Sequence, residues 1–181
     1  MQIDRWLIAA TATLICLSGN AVHAQWRHEV GERNPFKGGP EHAAGYADDM
    51  VRTKEMFLFT CNTADNVELA WQTRRRVSYD AHERVRRASF RIALIVDDKP
   101  AIYARARGGV VDFDKLAVFA SDPKEVSRLA VDVASASKGV AAAVEMDGKI
   151  EISTPFPLGA APVAVGAMVK GCKLYGSTSG S

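Results

Sequence analysis

The chain has 181 residues, 48% hydrophobic and 24% charged, with 23 Lys and Arg against 21 Asp and Glu. A formal net charge of +2 gives no electrostatic case for nucleic acid as a whole-protein partner. The length suits one domain with a real core and leaves little room for two.

Residues 1–24 read as a cleavable secretory signal. Arg5 and the free amino group lead, Trp6 to Leu17 is apolar apart from Thr11 and Thr13, and Val22-His23-Ala24 places small residues where a signal peptidase reads. The apolar run is about 12 residues, short of the roughly 20 that a permanent membrane helix needs. An uncleaved anchor is the competing reading. A lipoprotein would need a small residue before Cys16, where Ile15 stands. Cleavage would leave 157 of the 181 residues, and loss of Arg5 and Asp4 would bring the charges to 22 basic against 20 acidic. No later segment is long and apolar enough to anchor the chain, so a periplasmic or secreted protein without a membrane span is expected.

Residues 25–52 show little periodicity. Asn34-Pro35, Gly38-Gly39-Pro40 and Gly45 punctuate them, which predicts an irregular lead-in. A single β-rich domain is expected over 53–175. Its first strand is Glu55 to Cys61, with Phe57, Phe59 and Cys61 on one face, and Val67 to Thr73 follows after a turn. Arg86 to Val96 alternates apolar and polar residues as a strand with one wet face. Asp97-Asp98-Lys99-Pro100 turns into a partner strand from Ala101 to Arg107, and Gly108-Gly109 is expected to turn again before Val110 to Phe119.

Asp122, Pro123 and Glu125 form the start signal of a helix, with Glu125 completing a capping box. Val126, Leu129, Ala130 and Val133 supply its apolar stripe. Gly139 to Ser153 is a hairpin turning at Asp147-Gly148, and Thr154-Pro155-Phe156-Pro157 is expected to break its second strand. A second helix fits Pro162 to Lys170, stopped by Gly171. The tail 176–181 is small and polar and is expected to be disordered. The class is therefore α+β and β-dominant: a mostly antiparallel sheet or sandwich of six or more strands with two short helices.

Cleavage removes Cys16 and leaves Cys61 and Cys172. In an oxidising compartment an even pair reads as one disulfide. Such a bridge closes a loop of about 110 residues, for which chain entropy gives roughly 4–5 kcal/mol. The alternatives are two separately buried thiols or a metal site. No CxxC pair or His cluster accompanies the cysteines, and no metal or cofactor is expected.

Arginine density is the main polar feature. Arg74, Arg75, Arg76, Arg84, Arg86, Arg87 and Arg91 fall close together, extended by Arg105 and Arg107. If Arg76 to Arg87 spans a hairpin connection, several converge into a basic patch. Guanidinium groups suit carboxylate and phosphate partners. Tyr79 and His82 would add stacking and a pH-sensitive donor. The plainer reading is a solvated strand edge whose charges block association. His28, His42 and His82 have no ligand spacing and read as loop histidines. Asp97, Asp98, Asp112 and Asp114 flank turns and could meet across strands, where a carboxylate pair could bind calcium or serve acid–base chemistry; the plainer reading is turn chemistry for Asp97-Asp98 and a wet strand face for Asp112 and Asp114. No known nucleophile, zinc, phosphate-loop or dinucleotide motif is present.

Three segments together resemble a known group: Phe57-Leu58-Phe59-Thr60-Cys61, Asp97-Asp98-Lys99-Pro100, and Phe156-Pro157-Leu158-Gly159 through Met168-Val169-Lys170-Gly171-Cys172. They are similar to small exported proteobacterial proteins of the invasion-associated locus B type and to periplasmic accessory proteins of type VI secretion. The locus B type carries a further cysteine soon after the first, and Asn62 to Trp71 has none, so no functional residue is carried over. The resemblance implies a non-enzymatic role linked to the envelope or to secretion. The leading expectation is an exported binding or accessory domain that contacts an envelope component or protein partner through Arg74 to Arg91. An inhibitor of a cell-wall-acting or host enzyme, presenting a loop such as Arg74 to Arg84, is the alternative. An enzyme of unfamiliar type is third.

Overall fold

The computed structural model describes residues 25–34, 39–48 and 55–174. The signal reading of 1–24 and the tail 176–181 lie outside the described residues. Nine antiparallel strands form one sheet: β1 Gln25–Asn34, β2 Gly39–Asp48, β3 Glu55–Thr63, β4 Asn66–Arg76, β5 Phe90–Val96, β6 Ile102–Val111, β7 Lys115–Ala120, β8 Val140–Met146 and β9 Lys149–Phe156. The helices are α1 His82–Arg87, α2 Pro123–Ala134 and α3 Ala161–Gly171, with a 3₁₀ turn at Tyr79–Ala81 before α1. The β-dominant α+β class is as expected: nine strands satisfy the expected six or more, and there is one more helix.

The strand order is β1-β2-β3-β4-β7-β6-β5-β8-β9. The sheet curls around α2 and α3, which pack on each other. Helix α3 lies against β1–β3 and α2 against β4, β5 and β6. Alternation decides what faces inward: Phe57, Phe59, Leu69, Trp71, Ile92, Leu94 and Val144 are essentially inaccessible to solvent. The helices answer with Val126, Leu129, Ala130 and Val133 from α2, and Ala164, Val165 and Met168 from α3. At the start of α2, Asp122 accepts the Lys124 and Glu125 amides at 3.0 Å. Glu125 does not close a capping box; its carboxylate accepts from the backbone and side chain of Arg105.

The main correction concerns 25–52. In place of an irregular lead-in, this segment holds β1 and β2, which pair with each other and place β2 against β3. Gly45 looks like a breaker but serves close packing, because a Cβ there would stand 2.7 Å from the Phe57 carbonyl. The same reason overturns the turn at Gly108-Gly109. Strand β6 runs straight through both glycines, and a Cβ on Gly108 would lie 2.2 Å from the Phe90 ring. There β6 also changes partner, pairing with β5 through Ile102–Ala106 and with β7 through Arg107–Val111.

Two further expectations shift. The run from Arg86 is not all strand: α1 ends at Arg87 and β5 begins at Phe90. Strand β9 continues to Phe156 despite Pro155, which an edge strand tolerates. Phe156 is thereby carried into a cluster of Trp26, Tyr46, Phe57 and Trp71, with ring centroids 5.0–6.2 Å away. The Trp26 indole donates to the Pro157 carbonyl at 2.8 Å, tying β1 to the end of β9. Cys61 and Cys172 form the expected disulfide, joining β3 to the residue after α3.

Candidate functional site

The end of β4 sends its arginines to different faces. Glu55, 2% exposed at the start of β3, accepts from the Trp71 indole at 3.0 Å and from Arg74 Nε at 3.2 Å. Arg75 crosses to β9, donating to the Glu151 carbonyl at 3.3 Å and pairing with its carboxylate. Glu55, Arg74, Arg75 and Glu151 with Ile152, Ser153 and Thr154 line an open cleft of about 390 Å³. Each arginine in it is matched by a carboxylate, so the cleft is polar but internally paired. Glu55 is the residue that sequence reasoning missed; its only signal was a lone acid opening an apolar strand.

Arg76 turns the other way and pairs with Asp114 at 3.4 Å. The chain then enters the 3₁₀ turn and α1, which packs on β6 through buried Val85. Arg86 and Arg87 share one carboxylate, Glu83, at 3.7 and 2.8 Å. Arg84 has no ion pair among the described residues. Tyr79 is 86% exposed, with its ring 5.4 Å from that of His82. His82 Nε2 is buried without a protein hydrogen-bond partner. Arg91 lies apart on β5, paired with Glu145 on β8 at 2.5 Å and 4.8 Å over the Tyr103 ring. Arg105 is held by Asp122 and Glu125.

The seven arginines therefore do not converge into one patch. The expected hairpin between Arg76 and Arg87 is absent, because β7 and β6 stand between β4 and β5. Arg74 and Arg75 belong to the cleft, Arg76, Arg84, Arg86 and Arg87 to the α1 end, and Arg91 to the outer face of β5.

The other candidates resolve differently. His28 and His42 are not in loops: they stack across β1 and β2, with His28 Nε2 3.3 Å from His42 Nδ1. Partial burial, then the neighbouring His42, lowers the His28 pKa. Asp97 and Asp98 sit at one end of β6 and Asp112 and Asp114 at the other, so the two pairs do not meet. Asp97 accepts the amides of Ser137, Lys138 and Gly139 at 2.6–3.0 Å, which holds its carboxyl well below the usual range and fixes the loop before β8. Among the described residues no three His, Cys, Asp or Glu side chains gather as a metal site, and no helix is long and apolar enough to cross a membrane.

The chain matches no protein-family model, and no curated protein or solved structure matches it significantly.

Proposed function

We propose that this chain is an exported, non-enzymatic binding or accessory protein that contacts an anionic envelope component or protein partner through the end of the fold formed by Arg76 and α1. The charge balance of α1 carries this reading. Arg86 and Arg87 share the single carboxylate of Glu83, and Arg84 is left without an ion pair among the described residues. Guanidinium groups held this way are free to form paired hydrogen bonds to phosphate or carboxylate. The order of charged, apolar and small residues in 1–24 supports export, and the disulfide is compatible with an oxidising compartment. The resemblance to locus B and secretion-accessory proteins points the same way.

The test is charge reversal of Arg84, Arg86 and Arg87 together, leaving Arg75 and Arg91 in their ion pairs. Capture of a partner from an envelope extract should be abolished while circular dichroism and Tm stay unchanged. Undiminished capture by the folded variant removes this reading. The inhibitor reading keeps one observation of its own. Arg74 to Arg84 is not a protruding loop, but the β6–β7 turn displays Phe113 at 97% exposure.

A further inference from the structure

Three hairpins in this fold turn through consecutive left-handed residues, the β5–β6 one at Asp97 and Asp98 with φ of 53° and 62°. At the β8–β9 turn these are Asp147 and Gly148, with φ of 50° and 82°, the pair such a turn demands. At the β6–β7 turn they are Asp112 and Phe113, with φ of 46° and 69°. A bulky side chain is a genuine outlier there, and glycine would adopt the conformation without strain. The Phe113 ring gains no burial in return, since it is 97% exposed. Folding therefore gives no reason for an aromatic at this position.

The turn is also held stiff. Gln72 Nε2 donates to Asp112 Oδ2 at 3.1 Å, and Lys115 Nζ lies 3.6 Å from the same oxygen. Arg76 pairs with Asp114, and the Val77 amide donates to the Asp114 carbonyl at 2.6 Å. That last bond sets the segment leading to exposed Tyr79 beside the turn. A ring presented on a fixed backbone binds with little ordering cost, and anchors of this kind dominate protein interfaces.

We propose that Phe113 is a docking anchor whose ring enters an apolar pocket on a partner protein, with basic groups at the pocket rim facing Asp112 and Asp114. This rests on the reading of the chain as a binding protein, and it extends the α1 surface to the β6–β7 turn. The flanking carboxylates favour a protein pocket over a bilayer, because inserting the ring into lipid would bring two acids toward the hydrocarbon.

The experiment places p-benzoylphenylalanine at position 113 of the full-length exported chain and irradiates intact cells. The same probe at Val163, 76% exposed on α3, is the control. The expected result is one dominant protein adduct from position 113 and none of that protein from 163. The adducted protein is then purified and its Kd measured. Phe113→Gly should weaken binding about 30-fold or more, Phe113→Leu should restore part of it, and Tm of the glycine variant should be equal or higher. Adducts to lipid alone, no adduct, the same adducts from both positions, or a Kd within about 3-fold for Phe113→Gly would each overturn the proposal. If reversing the α1 charges abolishes binding but Phe113→Gly does not, the anchor fails and the wider function stands. If neither variant weakens binding, both fail.

Discussion

The substitution Phe156→Ala tests what holds the curled sheet closed. Phe156 is 4% exposed, and its ring centroid lies 5.0 Å from Phe57, 5.1 Å from Tyr46, 5.8 Å from Trp71 and 6.2 Å from Trp26. Truncating a buried Phe to Ala costs about 3–5 kcal/mol, transfer and cavity together. Aromatic pairs contribute a further ~0.5–1.5 kcal/mol each beyond area. With four such neighbours the loss should fall in the upper part of that range, about 4–5 kcal/mol. The cavity would open between β9 and the β1–β4 half, where collapse would require β9 to move. Urea unfolding followed by tryptophan fluorescence measures this directly, because both Trp26 and Trp71 border the ring. Phe156→Leu should lose less than half as much. A loss below about 2 kcal/mol for the alanine variant, at unchanged m-value, would show that β9 is held by its pairing to β8 alone.

Three other outcomes follow from the geometry. Replacing both Cys61 and Cys172 with Ala should lower stability by roughly 4–5 kcal/mol through the long loop the bridge closes, and non-reducing mass spectrometry should find no free thiol in the parent protein. Glu55→Ala should cost about 2–3 kcal/mol in urea unfolding, because it leaves the buried Trp71 indole without its acceptor, and Arg74→Ala should cost about 3 kcal/mol, because it leaves the buried Glu55 carboxylate without its cation. His28 has its pKa lowered in the fold, so its neutral form is the one folding favours. Stability from this source is complete above the ordinary value of 6.5 and is lost as pH falls below it toward the folded value. Urea midpoints should therefore drop between pH 7.5 and pH 5.5, and His28→Gln should flatten that slope.

What could be read from the sequence was local or arithmetical. Asp122-Pro123 and the stripe from Val126 to Val133 define α2 within twelve residues. Asp147-Gly148 fixes the β8–β9 hairpin, and with Cys16 assigned to the expected signal segment the other two of the three cysteines permit only one bridge. The misreadings all depended on distant neighbours. Gly45 and Gly108 looked like breaks because nothing nearby in sequence tells of the Phe57 carbonyl or the Phe90 ring above them. Helix α1 buries only Val85, so it carries no stripe, and its last two residues, Arg86 and Arg87, read as the start of β5. The arginines seemed to converge because their separation in space is set by β7 and β6, which come later in the chain. Phe113 looked like an ordinary strand residue until the backbone turn showed that it faces solvent.

The Cys61–Cys172 bridge also divides the molecule into unequal parts. Everything from Asn62 to Gly171 lies within one covalent ring, which includes β4 to β9 and helices α1 to α3. The β1–β2 hairpin lies outside that ring and is held by the β2–β3 ladder, the packing of α3, the Trp26 bond to Pro157 and the aromatic contacts around Phe156. Peeling it away would bare the edge of β3 while the ring kept its connectivity. The hairpin is thus the part of this sheet whose opening the bridge does nothing to restrict, and hydrogen exchange should find its amides opening ahead of those in β4 to β8.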